Sequence, residues 1–245
     1  MTSASESPTI AHDSAVGVKM VTAIQRGDLE RLATLLDERP ALAVARVEAR
    51  DGGVRSPLHL VTDWPGYFEN GPAVVTMLLA AGADPNVVFT GRHAETPLHW
   101  AASSDDAEVA AVLIDGGAHL EVQSGSIGTP LANAVGYGCW RVARLLVTRG
   151  ARVDRLWQAA ALGLHARVDD MLSASPAPTT EDITEAFWQA CHGGERRMAA
   201  RLLARGANPA TPPDYFARQT PVQVASALDT GRERLVEWLQ RLERK

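Results

Sequence analysis

The chain has 245 residues, 46% of them hydrophobic and 22% charged, and a net charge of −5, the make-up of an ordinary globular protein. No basic stripe accompanies the acidic balance, so phosphate-driven nucleic-acid binding lacks electrostatic support, and no stretch approaches the roughly 20 apolar residues that span a bilayer. Cys139 and Cys191 make neither a disulfide framework nor a zinc quartet, and the start MTSASESPTIAHDS has neither the basic nor the apolar part of a secretory leader; a reduced, cytoplasmic setting follows as the expectation.

Residues 1–15 are rich in Ser and Thr and are expected to form a disordered tail; residues 16–245 are expected to form a single domain of repeated helix pairs. The first pair lies near Val18–Leu36, with Ala23/Gly27 followed by the apolar face Leu32/Leu35/Leu36. The second opens with SPLHLVTDW at Ser56 and has its outer face at Val75/Leu78/Leu79. The third, ETPLHWAASSDDAEVAAVLIDGGAHLEV (Glu95–Val122), is the clearest copy, and TPLANAVGYG at Thr129 begins the fourth. The fifth and sixth have lost the Thr-Pro start but keep Ala159/Gly163 and Ala190/Gly194. TPVQVASAL at Thr220 opens the last, with Ala225/Asp229. The starts fall near 18, 56, 96, 129, 154, 185 and 220.

Each recurring residue has a physical reason. Thr or Ser before Pro offers an N-cap hydroxyl, and Pro at the first helical position lacks only an N–H that would be unpaired anyway. The small inner-helix Ala lets layers approach closely. Gly82, Gly117, Gly150 and Gly206 stand where a helix ends in a left-handed conformation. No single pair can bury its own apolar face, so neighbours must stack.

With the step of 33 residues from Thr96 to Thr129, the segments TPLHWAA, LLAAGADPN and LLARGANP resemble the ankyrin-repeat family, in its bacterial type, over about Val16 to Leu239. The resemblance implies an all-α solenoid of about seven helix pairs with short β-turn fingers, and a concave surface used mostly for protein partners. It also implies that His59 and His99 bridge a Thr or Ser hydroxyl to the backbone of the next repeat. Trp157 and Trp188 hold that position in repeats that lack His; they either fill space between layers or turn their indole N–H towards the groove.

Two departures from the regular period are informative. The step of 40 after Ser56 inserts DWPGYFENGP (Asp63–Pro72), a loop carrying Trp64, Tyr67 and Phe68; such a loop either caps a layer edge or carries function. The step of 25 after Thr129 leaves almost no finger near Val153–Leu156. Beyond it, Thr179/Asp182 can cap the next helix after Pro176 and Pro178.

Alignment of the repeats sets Asp63, Trp64, Tyr67, Trp100, Ser103, Asn133, Tyr137, Gln158, Gln189 and His192 along the groove or its inserted loop, and aromatics mixed with amides suit recognition. A His192–Asp63 acid/base pair spans too many layers, at roughly 10 Å each. The set Trp64, His99, Ser103 and Asp105 matches no hydrolytic motif. The reading is therefore a monomeric, non-catalytic module that binds a protein partner, with no cofactor, no metal, no nucleic acid and no membrane. The alternative is a small-molecule binder or enzyme with a pocket between the 63–72 insertion and repeats three and four.

Overall fold

Side-chain caps fix where the helices begin. In the computed structural model, which describes residues 7–48, 52–216, 219–226 and 232–244, Ser14 accepts from the Gly17 N–H to open α1 (Ala15–Gln25), and Asp28 accepts from Arg31 to open α2 (Leu29–Glu38). Ser56, Thr96 and Thr129 are extended N-caps, each followed by proline, for α3 (Pro57–Thr62), α5 (Pro97–Ser103) and α7 (Pro130–Gly136). Their outer partners are α4 (Gly71–Ala80), α6 (Ala107–Asp115) and α8 (Trp140–Thr148). These four pairs belong to the first of two compact units, Met1–Ala151. Inner helices stack on inner helices and outer on outer within it. Leu32, Leu58, Leu78, Leu98, Leu113, Leu131 and Leu146 are almost wholly buried along that stack, which is what removes each pair's apolar face from water.

The second unit, Arg152–Lys245, contains α9 (Leu156–Ala161) with α10 (His165–Leu172), α11 (Thr180–Gly193) with α12 (Arg196–Ala204), and α13 (Pro221–Ser226) with α14 (Glu233–Glu243). Among the described residues, then, seven helix pairs follow one another: the all-α repeat architecture that the sequence predicts. The sixth pair departs from its expected start near 185. Its inner helix begins at Thr180, because Thr179 and Asp182 form a reciprocal cap there (Oγ1 to Oδ2, 2.7 Å). Asp182 is held below the usual carboxylate range by those bonds. Ala227, Leu228 and Asp229, aligned with the inner helix and its turn in the seventh pair, lie outside the described residues.

The turn between inner and outer helices explains the recurring Gly or Asp. Asp105 has φ 57°, close to the values at Gly27, Gly138 and Gly163, a left-handed backbone that only Gly, Asn and Asp visit readily. Asp105 also works as a link, its Oδ1 accepting the Val142 N–H of the next repeat at 2.9 Å. At the far end of each outer helix, Gly117 (φ 93°) closes the helix, with open space around the missing Cβ; the constraint there is conformational rather than steric. Its carbonyl accepts from Asn86 Nδ2, while Asn86 Oδ1 accepts from His119 N–H. The Asn of LLAAGADPN therefore ties one finger to the next.

The N-terminal segment corrects an expectation. Residues 1–6 lie outside the described residues, but Thr9–Ala11 forms β1, parallel to β2 (Arg46–Glu48), which pairs antiparallel with β3 (Val54–Arg55). The tail read as disordered over 1–15 is thus ordered in its later part: the first finger's strand offers unpaired backbone groups, and Ile10 is buried against it.

Both TPLH-type histidines are structural. His59 Nδ1 meets Ser56 Oγ at 2.8 Å, and its Nε2 reaches the Glu95 carbonyl at 3.0 Å. His99 repeats the pattern with Thr96 Oγ1 (2.9 Å) and the carbonyls of Val122 and Gly128 (3.1 Å each). Carbonyls accept only, so Nε2 carries the proton in both rings and Nδ1 accepts the backbone N–H of Ser56 or Thr96. Burial lowers the His59 pKa from 6.5 to about 4, and lowers that of His99 as well. The unfolded chain therefore binds protons below pH 6.5 that the folded chain refuses, and stability present above that pH drains away as pH falls towards 4. His59 alone is expected to lose about 2 kcal/mol by about pH 5. Thermal melts at pH 7.5 and 5 should show Tm falling by several degrees; an unchanged Tm would contradict the buried neutral histidines.

Candidate functional site

Five of the residues predicted from the aligned repeats meet at one place in the first unit. Asp63, Trp64, Trp100, Ser103 and Tyr137 line a surface cavity of about 230 Å³. Trp100 supplies part of the lining. Its ring is packed edge-on to His59 (centroids 4.9 Å apart) and against Phe89 (5.3 Å), so the structural histidine also orients the aromatic beside the cavity. At the rim, Trp64 is 82% exposed and Tyr137 52%.

Sequence reasoning missed Glu95, which also lines the cavity. It stands just before the Thr96 cap, and its main chain is pinned by His59. Its Oε1 accepts from Ser126 N–H (2.8 Å) and from Asn133 Nδ2 (2.9 Å). The ETPLH segment contained the only signal, a carboxylate one residue before a cap; repeat periodicity assigns such a residue to a finger and says nothing of its direction.

Asn133 lies beneath the cavity, fully buried. Besides Glu95, it reaches Ser103 Oγ at 3.3 Å and accepts the Ile127 N–H at 3.1 Å. Those bonds fold the finger segment 123–128 inwards over α7. The same segment is held by Gly125 N–H to the Gly128 carbonyl (2.8 Å), by Ser124 Oγ on the Ala94 carbonyl, and by Ser126 Oγ on Tyr137 Oη (3.0 Å). Gly125 is required by space: a Cβ there would come within 2.5 Å of the Gly128 carbonyl oxygen and of the His99 ring.

The inserted loop frames the opposite side. Arg55 pairs with Asp63 at 2.8 Å and lies 5.4 Å from the Trp100 ring centroid. Tyr67, by contrast, does not reach the cavity. Its N–H donates to Asp106 Oδ2 (2.9 Å), its hydroxyl donates to the Asp105 carbonyl, and Arg141 sits over its ring at 5.9 Å. Asn70 Nδ2 reaches the Gly27 carbonyl at 3.0 Å. The insertion is thus pinned across the inter-helix turns of the first and third repeats and leaves Trp64 projecting.

Gln158, Gln189 and His192 lie in the second unit and are not open surface groups. Gln158 is 4% exposed, and its Oε1 accepts the Arg155 N–H at the start of α9. Gln189 Nε2 donates to Tyr215 Oη (3.3 Å), which donates to Glu185 (2.8 Å), while His192 Nδ1 lies 3.3 Å from Gln189 Oε1. His192 sits on the last turn of α11, packed edge-on to Phe216 at 5.4 Å. Burial, assisted by Arg232, lowers its pKa to about 4, and no acid/base role follows from that setting. Trp188 is buried 6.0 Å from Phe216 and Trp157 packs against the same core; both fill space between layers. Cys139 and Cys191 are buried, with the Cys139 thiol pushed up to about 11 by burial and Cys191 higher still. No group of His, Cys, Asp and Glu among the described residues is arranged to hold a metal ion, and no described helix is long and apolar enough to cross a membrane.

Stacked helix pairs joined by turned-in fingers, with an aromatic and polar cavity at the ends of inner helices, define a repeat protein built to present a surface. A family model described as ankyrin repeats (3 copies) matches residues 66–155, and that match supports an ankyrin-repeat protein. No curated protein matches the chain. Ankyrin repeats are generally protein–protein interaction modules.

Replacing Asn133 by Ala strands the Ile127 N–H and removes a donor from Glu95. The Asn133→Ala variant is expected to lose about 2 kcal/mol of stability, with faster amide exchange over residues 123–128 than elsewhere in the first unit. Exchange that rises uniformly, or not at all, would show that Asn133 does not hold the finger down.

Proposed function

We propose that the protein is a non-catalytic, monomeric binding module of the cytoplasm that grips a protein partner through the concave surface of its first unit. The observation that carries this reading is the cavity's character: about 230 Å³, with Trp64 and Tyr137 exposed at its rim. Sites for small ligands usually enclose about 300–1,000 Å³ and cover most of the ligand; a shallower pocket with projecting aromatics suits one anchoring side chain of a larger surface. The alternative, a small-molecule site beneath the inserted loop, draws on the same lining but has less room and no cover. Catalysis finds no support in the residues gathered there, since His99 uses both ring nitrogens for register and Ser103 Oγ donates to the His99 carbonyl at 2.9 Å.

The test is affinity capture with wild type beside a Trp64→Ala/Tyr137→Ala variant, followed by purification of whatever distinguishes them and measurement of its Kd. Loss of about 2 kcal/mol, roughly 30-fold in Kd, is expected for the variant. Equal binding to both chains would remove the first unit's concave surface from the account. A metabolite that raises the Tm of wild type alone would favour the alternative.

A further inference from the structure

Resting on that reading of the cavity, we infer that the partner's anchor is a lysine side chain, its ammonium received beside Glu95. The hydrogen-bonding polarity of the lining points there. Thr62, Ser103 and Ser104 each donate their one hydroxyl proton to a backbone carbonyl four residues earlier, those of Leu58, His99 and Trp100, at 2.9–3.0 Å. A hydroxyl with its proton so committed presents only lone pairs. Asp63 and Glu95 add carboxylates to the same lining, and a carboxylate accepts only. Ser126 and Tyr137, bonded to each other at 3.0 Å, keep one hydroxyl proton between them, and the indoles of Trp64 and Trp100 are donors; acceptors still predominate in the lining, which complements a group that brings donors and positive charge.

The aromatic rings favour the same class of guest, because cations are attracted to the face of Trp and Tyr. Arg55 demonstrates that chemistry within the site, lying 5.4 Å from the Trp100 centroid while paired with Asp63. Its charge balances Asp63, and among the described residues Glu95 remains as the lining carboxylate that makes no ion pair. Trp64 and Tyr137 at the rim can flank an aliphatic stem on its way in.

Ammonium rather than guanidinium follows from the Glu95 geometry. Both hydrogen bonds to its carboxylate fall on Oε1, which leaves Oε2 for the guest. One oxygen suits the point charge of an ammonium, with the hydroxyl lone pairs taking its other protons; the bidentate fork of arginine needs two.

The experiment uses the full ¹⁵N-labelled chain and four blocked glycine tripeptides with Lys, Arg, norleucine or Glu at the centre. The readout is the indole N–H signals of Trp64 and Trp100, assigned with Trp64→Phe and Trp100→Phe variants. The Lys peptide is expected to shift both signals saturably, with a dissociation constant at least about threefold below that of the Arg peptide. Norleucine and Glu peptides should leave them in place. Glu95→Gln, which keeps an Oε1 acceptor for Asn133 and Ser126, should abolish the Lys response. Should that variant fold poorly, the salt dependence of the wild-type response decides: binding weakens several-fold from low to physiological salt if charge drives it. Equal or tighter Arg binding, a response to Glu or norleucine, an unaffected Glu95→Gln, or salt-independent binding overturns the lysine inference. Partner capture that still depends on Trp64 would in that event leave the proposed function standing, so the two failures are separable.

Discussion

The hydrogen bond from His59 Nε2 to the Glu95 carbonyl, 3.0 Å long, is the interaction on which the candidate site depends. It joins the cap of α3 to the chain just before the cap of α5 and so sets the register of two repeats. Because the imidazole is buried and neutral, it donates on one side and accepts on the other without the cost of desolvating a charge. The same ring packs edge-on to Trp100. One residue thereby positions the backbone of the cavity's carboxylate and the plane of its aromatic wall. His99 repeats the device one layer on and holds the base of the finger whose tip, residues 123–128, turns inwards.

The site is built from departures laid on a regular frame. A regular repeat would have a short turn after α3 and a finger standing away from the inner helices. This chain has an eight-residue loop there, at 63–70, anchored by Tyr67 and Asn70 to neighbouring turns, and a finger drawn down by Asn133. The two irregularities approach the same stretch of α5 from opposite sides, and the cavity is the gap between them. Its polar groups keep their orientation because each is committed elsewhere: Ser103 and Ser104 to their own helix, Glu95 to Asn133 and Ser126. Such commitments preorganise the surface, which lowers the entropy cost of binding.

The frame was legible in the sequence because it rests on local rules. Thr96-Pro97 announces a helix start and Gly117 a left-handed helix end, and the structure shows both; the recurring Ala-to-Gly spacing marked the repeats, and the structure adds that its Gly or Asp has positive φ. Trp100, Ser103 and Tyr137 could be placed along the groove because they follow helical geometry from the Thr96 and Thr129 caps, and Asp63 and Trp64 because they open the inserted loop after α3; all five line the cavity. What the sequence hid depends on tertiary contacts. Asn133 aligned with the groove but is consumed by the fold, since an amide is as useful for satisfying a buried backbone N–H as for meeting a partner. Gln158 was drawn inwards for the same reason, and Gln189 to meet the side chains of Tyr215 and His192. Glu95 belongs to a finger and the strand at Thr9–Ala11 pairs with one, where the period of the helices gives no direction.

The most direct test of this account is the protonation of the register histidines, read by long-range ¹H–¹⁵N correlation of the imidazoles at about pH 6, where an ordinary histidine is largely charged. His59 and His99 are expected to be neutral, with Nε2 protonated, Nδ1 bare and the Nε2 protons slow to exchange. Imidazolium rings, or the opposite tautomer, would mean that the bond from His59 to Glu95 does not hold the repeats in register, and the cavity built on it would lose its foundation.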